Sequence, residues 1–172
     1  MTIKIAFTGH RPNKIPGGWD GGPERDELVS YLICALRDQA RKHGPSELIT
    51  GGALGWDQVA LEAGLKLGDM YTPTKIVVAE PFRHFWIKWR PEQIEFYHYL
   101  KYSTTLTHTI TISDDGYSAW KMQRRNQYMV DNCDELWAFW DGGLKGGTAN
   151  CIKYAQDKNV KIRNIYDEYR SI

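Results

Sequence analysis

The chain has 172 residues, 42% of them hydrophobic and 13% aromatic, which is the size of one domain with a substantial core. Its 22 basic against 21 acidic residues leave a formal charge of +1. No global field then draws in a nucleic-acid backbone or an anionic membrane, and a nucleic-acid partner is not expected. No apolar run approaches the roughly 20 residues that span a bilayer, and Met1 to Ile5 leads into a strand pattern without a signal-peptide layout, so a cytoplasmic protein without a membrane partner is expected.

In chain order, Ile3 to Phe7 is a short β-branched run that stops at Thr8-Gly9-His10-Arg11-Pro12 and reads as a strand with its exit loop. Asn13 to Pro23 is rich in glycine and proline and predicts an irregular loop able to lie over a site. From Glu24, Leu28, Tyr31, Leu32, Ala35, Leu36 and Ala40 recur at helical spacing until Gly44-Pro45. A second strand, Glu47 to Thr50, runs into Gly51-Gly52-Ala53-Leu54-Gly55-Trp56-Asp57 and a helix to about Gly68.

Lys75 to Ala79 predicts a buried parallel strand ending at Glu80-Pro81-Phe82, and a helix follows Pro91. Thr105 to Ile112 alternates as a half-exposed strand. Ala119 to Asn132 reads as a helix, Glu135 to Trp140 as a strand, Ala149 to Asp157 as a helix, and Val160 to Ile165 as a last strand. Strands alternating with helices imply an α/β domain, a mainly parallel sheet with helices on both faces, whose ligands bind at the carboxyl ends of the strands.

Three cysteines, Cys34, Cys133 and Cys151, lie far apart in apolar or helical contexts, which predicts reduced, packed thiols. The five histidines show no metal-ligand spacing, and neither a metal nor another cofactor is expected.

The chemistry concentrates on the loops of that rim. Gly51, Gly52 and Gly55 free the backbone for a phosphate or ribose, and the following helix turns its unpaired N–H groups and its positive dipole end to the same space. Asp57 is either the cap of that helix or a ligand-binding carboxylate. A second glycine loop, Gly142 to Thr148, repeats the logic, with Gly146 and Gly147 freeing the backbone, Thr148 able to cap and Lys145 adding charge.

Thr8, Gly9, His10 and Arg11 stand where the first strand reaches the rim. Arg11 suits a bidentate phosphate contact and His10 an anion contact or proton transfer, or both tie down the loop behind them. Arg124, Arg125 and Asn126 form either a solvated charged face or a ligand contact. Tyr117 and Trp120 are either core or a stacking surface. The rim carboxylates are Asp57, Glu80 and Asp141, and hydrolysis would need one of them as base or stabiliser; Glu80 and Asp57 are the catalytic candidates.

Four blocks in this order carry a resemblance: Phe7 to Pro12; Thr50 to Asp57; Gln123-Arg124-Arg125-Asn126 onward to Asp134; and Trp140-Asp141-Gly142-Gly143 to Gly146-Gly147-Thr148. The chain resembles the SLOG superfamily, the Rossmann-like group that includes the LOG phosphoribohydrolases and the DNA-processing protein DprA, and within it the YpsA-like family of small stand-alone proteins. The resemblance implies a single Rossmann-like domain over 1–172 that binds a nucleotide or nucleotide-derived small molecule. By position, ligand contact would fall on Thr8, Gly9, Arg11, Gly51, Gly52, Asp57, Arg125, Asn126, Gly146, Gly147 and Thr148. The LOG pattern PGGxGTxxE is not kept, because Gly146-Gly147-Thr148 runs into Ala149-Asn150-Cys151-Ile152 without a glutamate.

Three functions remain open on the sequence: a ligand-binding module for sensing, sequestration or processing; a hydrolase or transferase at a nucleoside N-glycosidic or phosphate bond; and DprA-like single-stranded nucleic acid binding through Lys121, Arg124 and Arg125 with Trp120 stacking. Seven tryptophans are compatible with a homodimer or higher homo-oligomer, although no residue pattern marks an interface.

Overall fold

In the computed structural model, which describes residues 1–172, the first β-branched run forms β1 (Ile3–Gly9). Side chains alternate across a strand, so Ile5 and Phe7 enter one core while Ala6 enters another, with Thr8 beside Cys151 on Ala6's side. The same division separates Leu48 from Ile49 in β2 (Ser46–Thr50), Val78 from Ala79 in β3 (Ile76–Glu80) and Trp137 from Ala138 in β5 (Glu135–Phe139). A sheet buried on both faces needs helices on both faces.

With β4 (Thr107–Thr111) and β6 (Lys161–Asn164), these strands make a six-stranded, wholly parallel sheet in the order β4-β3-β2-β1-β5-β6. One face carries α1 (Pro23–His43), α2 (Trp56–Met70) and α3 (Pro91–Tyr102) over a core of large side chains, among them Phe7, Trp56, Tyr97, Trp137 and Phe139. The other carries α4 (Ala119–Asp131) and α5 (Gly147–Asp157) over a smaller core containing Ala6, Ala79, Ala138 and Ala155. Small residues let α4 and α5 lie close to the sheet. A long side chain from α4 can then reach strand-end backbone.

The chain leaves β1 on one side for β2, β3 and β4, and returns on the other for β5 and β6. At such a reversal the connections diverge and leave a crevice at the carboxyl ends of the strands. That crevice lies between β1 and β5.

Two elements were not foreseen: a short 3-10 turn at Pro12–Lys14, and α6 (Ile165–Arg170), which opens at the residue expected to end the last strand. Six residues are too few for a helical period to show. Of the three free thiols, one departs from the expected packing. Cys151 is buried and Cys133 half-buried, and burial pushes them up to about 11 and about 12 respectively. Cys34 is exposed, because α1 turns Leu32, Ala35 and Leu36 to the core and leaves position 34 outside. No helix is long and apolar enough to cross a membrane.

Candidate ligand-binding site

The β1/β5 crevice is a cavity of about 280 Å³. The exit of β1 lines it with Thr8, Gly9, His10 and Arg11, α2 contributes Asp57, α4 contributes Arg125 and Asn126, and the second glycine loop contributes Gly146, Gly147 and Thr148. Gly51, Gly52, Gly55 and Glu80 lie outside its lining.

The β1 exit is a structural junction as well as a wall. His10 N–H donates to the Phe139 carbonyl and Trp56 N–H donates to the His10 carbonyl, joining β1 to β5 and to the first turn of α2. The imidazole is 11% exposed, and its Nε2 stands 2.9 Å from the Asp141 N–H, from which it accepts when neutral, and 3.1 Å from Asp141 Oδ1, to which it donates when protonated. Burial lowers the His10 pKa, opposed by the nearby Asp141 carboxylate and aided by Lys14. Lys14 at 2.8 Å and the Gly143 N–H hold the Asp141 carboxyl down to about 2.

A pH dependence follows. A histidine whose folded pKa is depressed contributes stability that is present above its ordinary value of 6.5 and lost as pH falls through the folded value. The melting temperature of the wild type should therefore fall more steeply between pH 7.5 and pH 5 (about the histidine range) than that of His10→Gln, whose amide can accept the same N–H at any pH. Parallel melting curves for the two would remove His10 from this role.

The first glycine loop sends Ala53 to the cavity, while its glycines pack against the protein. A Cβ on Gly51 would stand 2.6 Å from Arg125 Cζ and from Asp57 Oδ2, and one on Gly52 would stand 2.7 Å from the Tyr97 hydroxyl. Gly55 is the N-cap of α2 at φ 99°, and a Cβ there would come within 2.9 Å of the Arg11 Cα. Only glycine takes that conformation without strain. These three glycines let Arg125, Tyr97 and the β1 exit close on the loop.

α2 starts at Trp56, so Asp57 is the second helical residue and not the cap. Its Oδ2 accepts the Ala53 N–H at 3.3 Å, and Oδ1 has no partner in the protein. Burial raises the Asp57 pKa, while the Arg125 and Arg11 guanidinium groups pull it back.

Arg125 is 3% exposed, whereas its neighbour Arg124 is on the surface. The expected charged run is thus split, as successive residues of a helix point about 100° apart. Arg125 Nη1 donates to the carbonyls of Gly51 at 2.6 Å and Ala79 at 3.2 Å, and Nε donates to Asn126 Oδ1 at 3.0 Å. Nη2 has no partner in the protein. A buried cation with one uncommitted donor therefore lines the cavity, beside a buried carboxylate with one uncommitted acceptor.

The N-terminus of the eleven-residue α5 lines the same cavity. Gly146 is the N-cap, at φ 102°, no side chain caps the turn, and nothing lies within 4 Å of a Cβ at Gly146 or Gly147. Thr148 is the second helical residue and not the cap that its type suggests. Such an open end presents unpaired N–H groups and partial positive charge to an anion.

Glu80 ends β3 away from this cavity. Its Oε1 accepts from Tyr97 Oη and Lys101 Nζ, both at 2.7 Å, and the residue is 5% exposed. Lys121, considered above for nucleic acid, is buried instead and donates to the carbonyls of Asp114, Asp115 and Gly116 at 2.9 Å each. Asn13, Lys14 and Met122 line the cavity without having been singled out from the sequence, and Trp140 lines it having been named only within a block. The only prior signal for Asn13 and Lys14 was the glycine-rich loop they open.

A family model described as the YspA SLOG family matches residues 5–168. The chain belongs to this SLOG family. It is similar to the SPbeta prophage-derived protein YoqJ of Bacillus subtilis, with 30% identity over 145 residues, covering 78% of this chain and 83% of that one. A UPF0398 protein of Leuconostoc citreum is 25% identical over 161 residues, covering 92% and 82%. Among solved structures, DNA processing protein A of Streptococcus pneumoniae superposes with a TM-score of 0.63 at 14% identity, and that of Helicobacter pylori with 0.58 at 17%. They cover 94% and 93% of the SLOG chain, which spans 49% and 63% of their lengths. At such identity they show a common Rossmann-like fold.

One expectation is overturned here. The near-zero net charge argued against a nucleic-acid partner, yet the Helicobacter pylori protein, solved for its single-stranded DNA binding mode, has this fold. Net charge sums the whole surface of a SLOG domain. A phosphate is held by a few local cations and backbone N–H groups, to which that sum is blind.

Proposed function

We propose that this SLOG protein binds a nucleotide-derived small molecule in the β1/β5 cavity, for sensing, sequestration or processing. The observation that carries the reading is the uncapped N-terminus of α5 sharing one cavity with the half-committed Arg125. A phosphate on the Gly147 and Thr148 N–H groups would lie among Arg11, Lys14 and Lys145, which also line the cavity. Asp57 Oδ1 is free to accept from a sugar hydroxyl, and Arg125 Nη2 to donate to a phosphate or base oxygen.

Native mass spectrometry of the purified protein, followed by calorimetry with adenosine monophosphate, ADP-ribose and a cyclic nucleotide, tests the reading. A bound or binding nucleotide supports it; an empty protein that answers none of them ends it. Gly147→Val should leave melting nearly unchanged, since nothing crowds that Cβ, while weakening nucleotide binding roughly tenfold or more by filling the cradle. Undiminished affinity would move the anion elsewhere. Processing is tested by base or phosphate release from the same nucleotides, with Asp57→Asn as the variant that should abolish it.

Exposed aromatic residues favour a second reading, single-stranded nucleic acid. Tyr117, 77% exposed, precedes the helix that brings Arg125 and Asn126 to the cavity, and Trp120, 54% exposed, lies in its first turn, with Arg124 exposed further along it. Bases could stack on these rings while phosphates enter the cationic mouth. Oligonucleotide anisotropy should then weaken with salt and with Trp120→Ala. Binding insensitive to both would dispose of this reading.

A further inference from the structure

β4 and β6 are the two edges of the sheet, and they are treated differently. Edge strands present unpaired N–H and C=O groups, which proteins shield with charge, proline, bulges or covering elements. β6 reads Lys161-Ile162-Arg163-Asn164, with Lys161 paired to Glu135, Arg163 paired to Glu168, and α6 directly after it. β4 reads Thr107-His108-Thr109-Ile110-Thr111, with no lysine, arginine, proline or glycine and mostly β-branched residues. It is an open and unguarded edge.

The direction of its backbone groups follows from its bonds to β3. The Leu106 carbonyl accepts from Ile76 N–H, and Ile112 N–H donates to the Glu80 carbonyl. In a parallel ladder alternate residues serve the same neighbour. Leu106, His108, Ile110 and Ile112 therefore face β3, and Thr107, Thr109 and Thr111 turn their N–H and C=O groups outward, where the protein offers no partner.

We propose that this edge joins two copies of the chain, β4 pairing antiparallel with β4 of the second copy about a twofold axis through Thr109. The two six-stranded sheets then run on into one. The interface is independent of what the β1/β5 cavity holds, since β4 is separated from β1 by two strands.

The strand is complementary to itself under that operation. Thr109 meets the partner's Thr109, Thr107 meets the partner's Thr111, and each such pair exchanges two N–H···O bonds, so every outward group of the three threonines is satisfied. His108 meets the partner's Ile110 on the opposite face. No charged side chain meets its like, and Thr–Thr cross-strand pairs are favourable.

The flanking helices fit the same axis. An axis normal to the sheet keeps each face on its own side, so α3 approaches α3 and α4 approaches α4. Tyr102 of α3, 74% exposed, then gains a neighbour beside the edge groove that it lines. On the other face Arg124, near the middle of α4, and Asp131, its last residue, are both exposed and line the groove along β4 about two helical turns apart. Antiparallel approach brings each toward its opposite charge. A foreign extended peptide could use the same backbone groups, but the palindromic register and this charge arrangement select a second copy.

Sedimentation equilibrium over a series reaching high micromolar concentration should give twice the monomer mass. Thr109→Pro removes an outward N–H and no bond to β3, and Thr109→Lys sets two ammonium groups against each other at the axis. Each should raise the dissociation constant roughly tenfold or more with an unchanged circular dichroism spectrum. Should the proline variant unfold, the surface lysine variant carries the test alone. Amide exchange at Thr107, Thr109 and Thr111 should slow as concentration rises. A wild type that stays monomeric, a dimer indifferent to Thr109→Lys, or exchange at Thr109 independent of concentration would each overturn the interface.

Discussion

Arg125→Met should abolish nucleotide binding and lower the free energy of unfolding by about 3–5 kcal/mol, the range for removing one partner from a buried charged arrangement. The side chain is 3% exposed and bonds the Gly51 and Ala79 carbonyls. Methionine leaves both carbonyls short of a donor and takes from Asp57 the cation that most lowers its pKa. Asp57 then rises further and takes up a proton at a higher pH. Because a carboxyl raised in the folded state binds protons more readily there than in the unfolded chain, the deficit of the variant should be largest at neutral pH and shrink as pH falls.

Arg125→Lys separates charge from shape. A lysine keeps a cation near Asp57 but cannot serve two carbonyls, Asn126 and the cavity at once. It should recover much of the stability and little of the binding. Denaturant unfolding and calorimetry on the three proteins decide the matter; an Arg125→Met protein as stable as wild type would show that the guanidinium holds nothing together.

Arg125 also shows where a linear reading stops. Gly51 lies 74 positions before it, and Asp141 lies 131 positions after His10. Strand periodicity and glycine loops are local properties, so the parallel sheet, the β1 exit and the Gly146 to Thr148 turn were legible as rim elements. Whether a rim glycine faces ligand or protein depends on which distant side chain arrives against it. Gly51, Gly52 and Gly55 receive Arg125, Tyr97 and the His10–Arg11 backbone, while Gly146 and Gly147 receive nothing, and both sets look alike in sequence. Charge behaves the same way: Lys121 and Arg124 are three residues apart, yet loop carbonyls bury one while the other stays in solvent.

Glu80 yields the second large effect. Lys101→Met should cost about 3–5 kcal/mol, since it leaves a buried carboxylate with the Tyr97 hydroxyl alone among its two bonded partners. Burial, with Glu80 next, pushes the Tyr97 pKa well above its ordinary value, so the phenol stays protonated and keeps donating. Glu80→Gln keeps an acceptor for Lys101 and should cost less. The double variant Glu80→Gln, Lys101→Met carries no unpaired charge and should be more stable than Lys101→Met by itself. This cluster lies outside the β1/β5 cavity, so Glu80→Gln should bind nucleotides with unchanged affinity while melting earlier than wild type. Lost binding or turnover with wild-type melting would instead make Glu80 a functional carboxylate, and would require a ligand that reaches from the cavity to the end of β3.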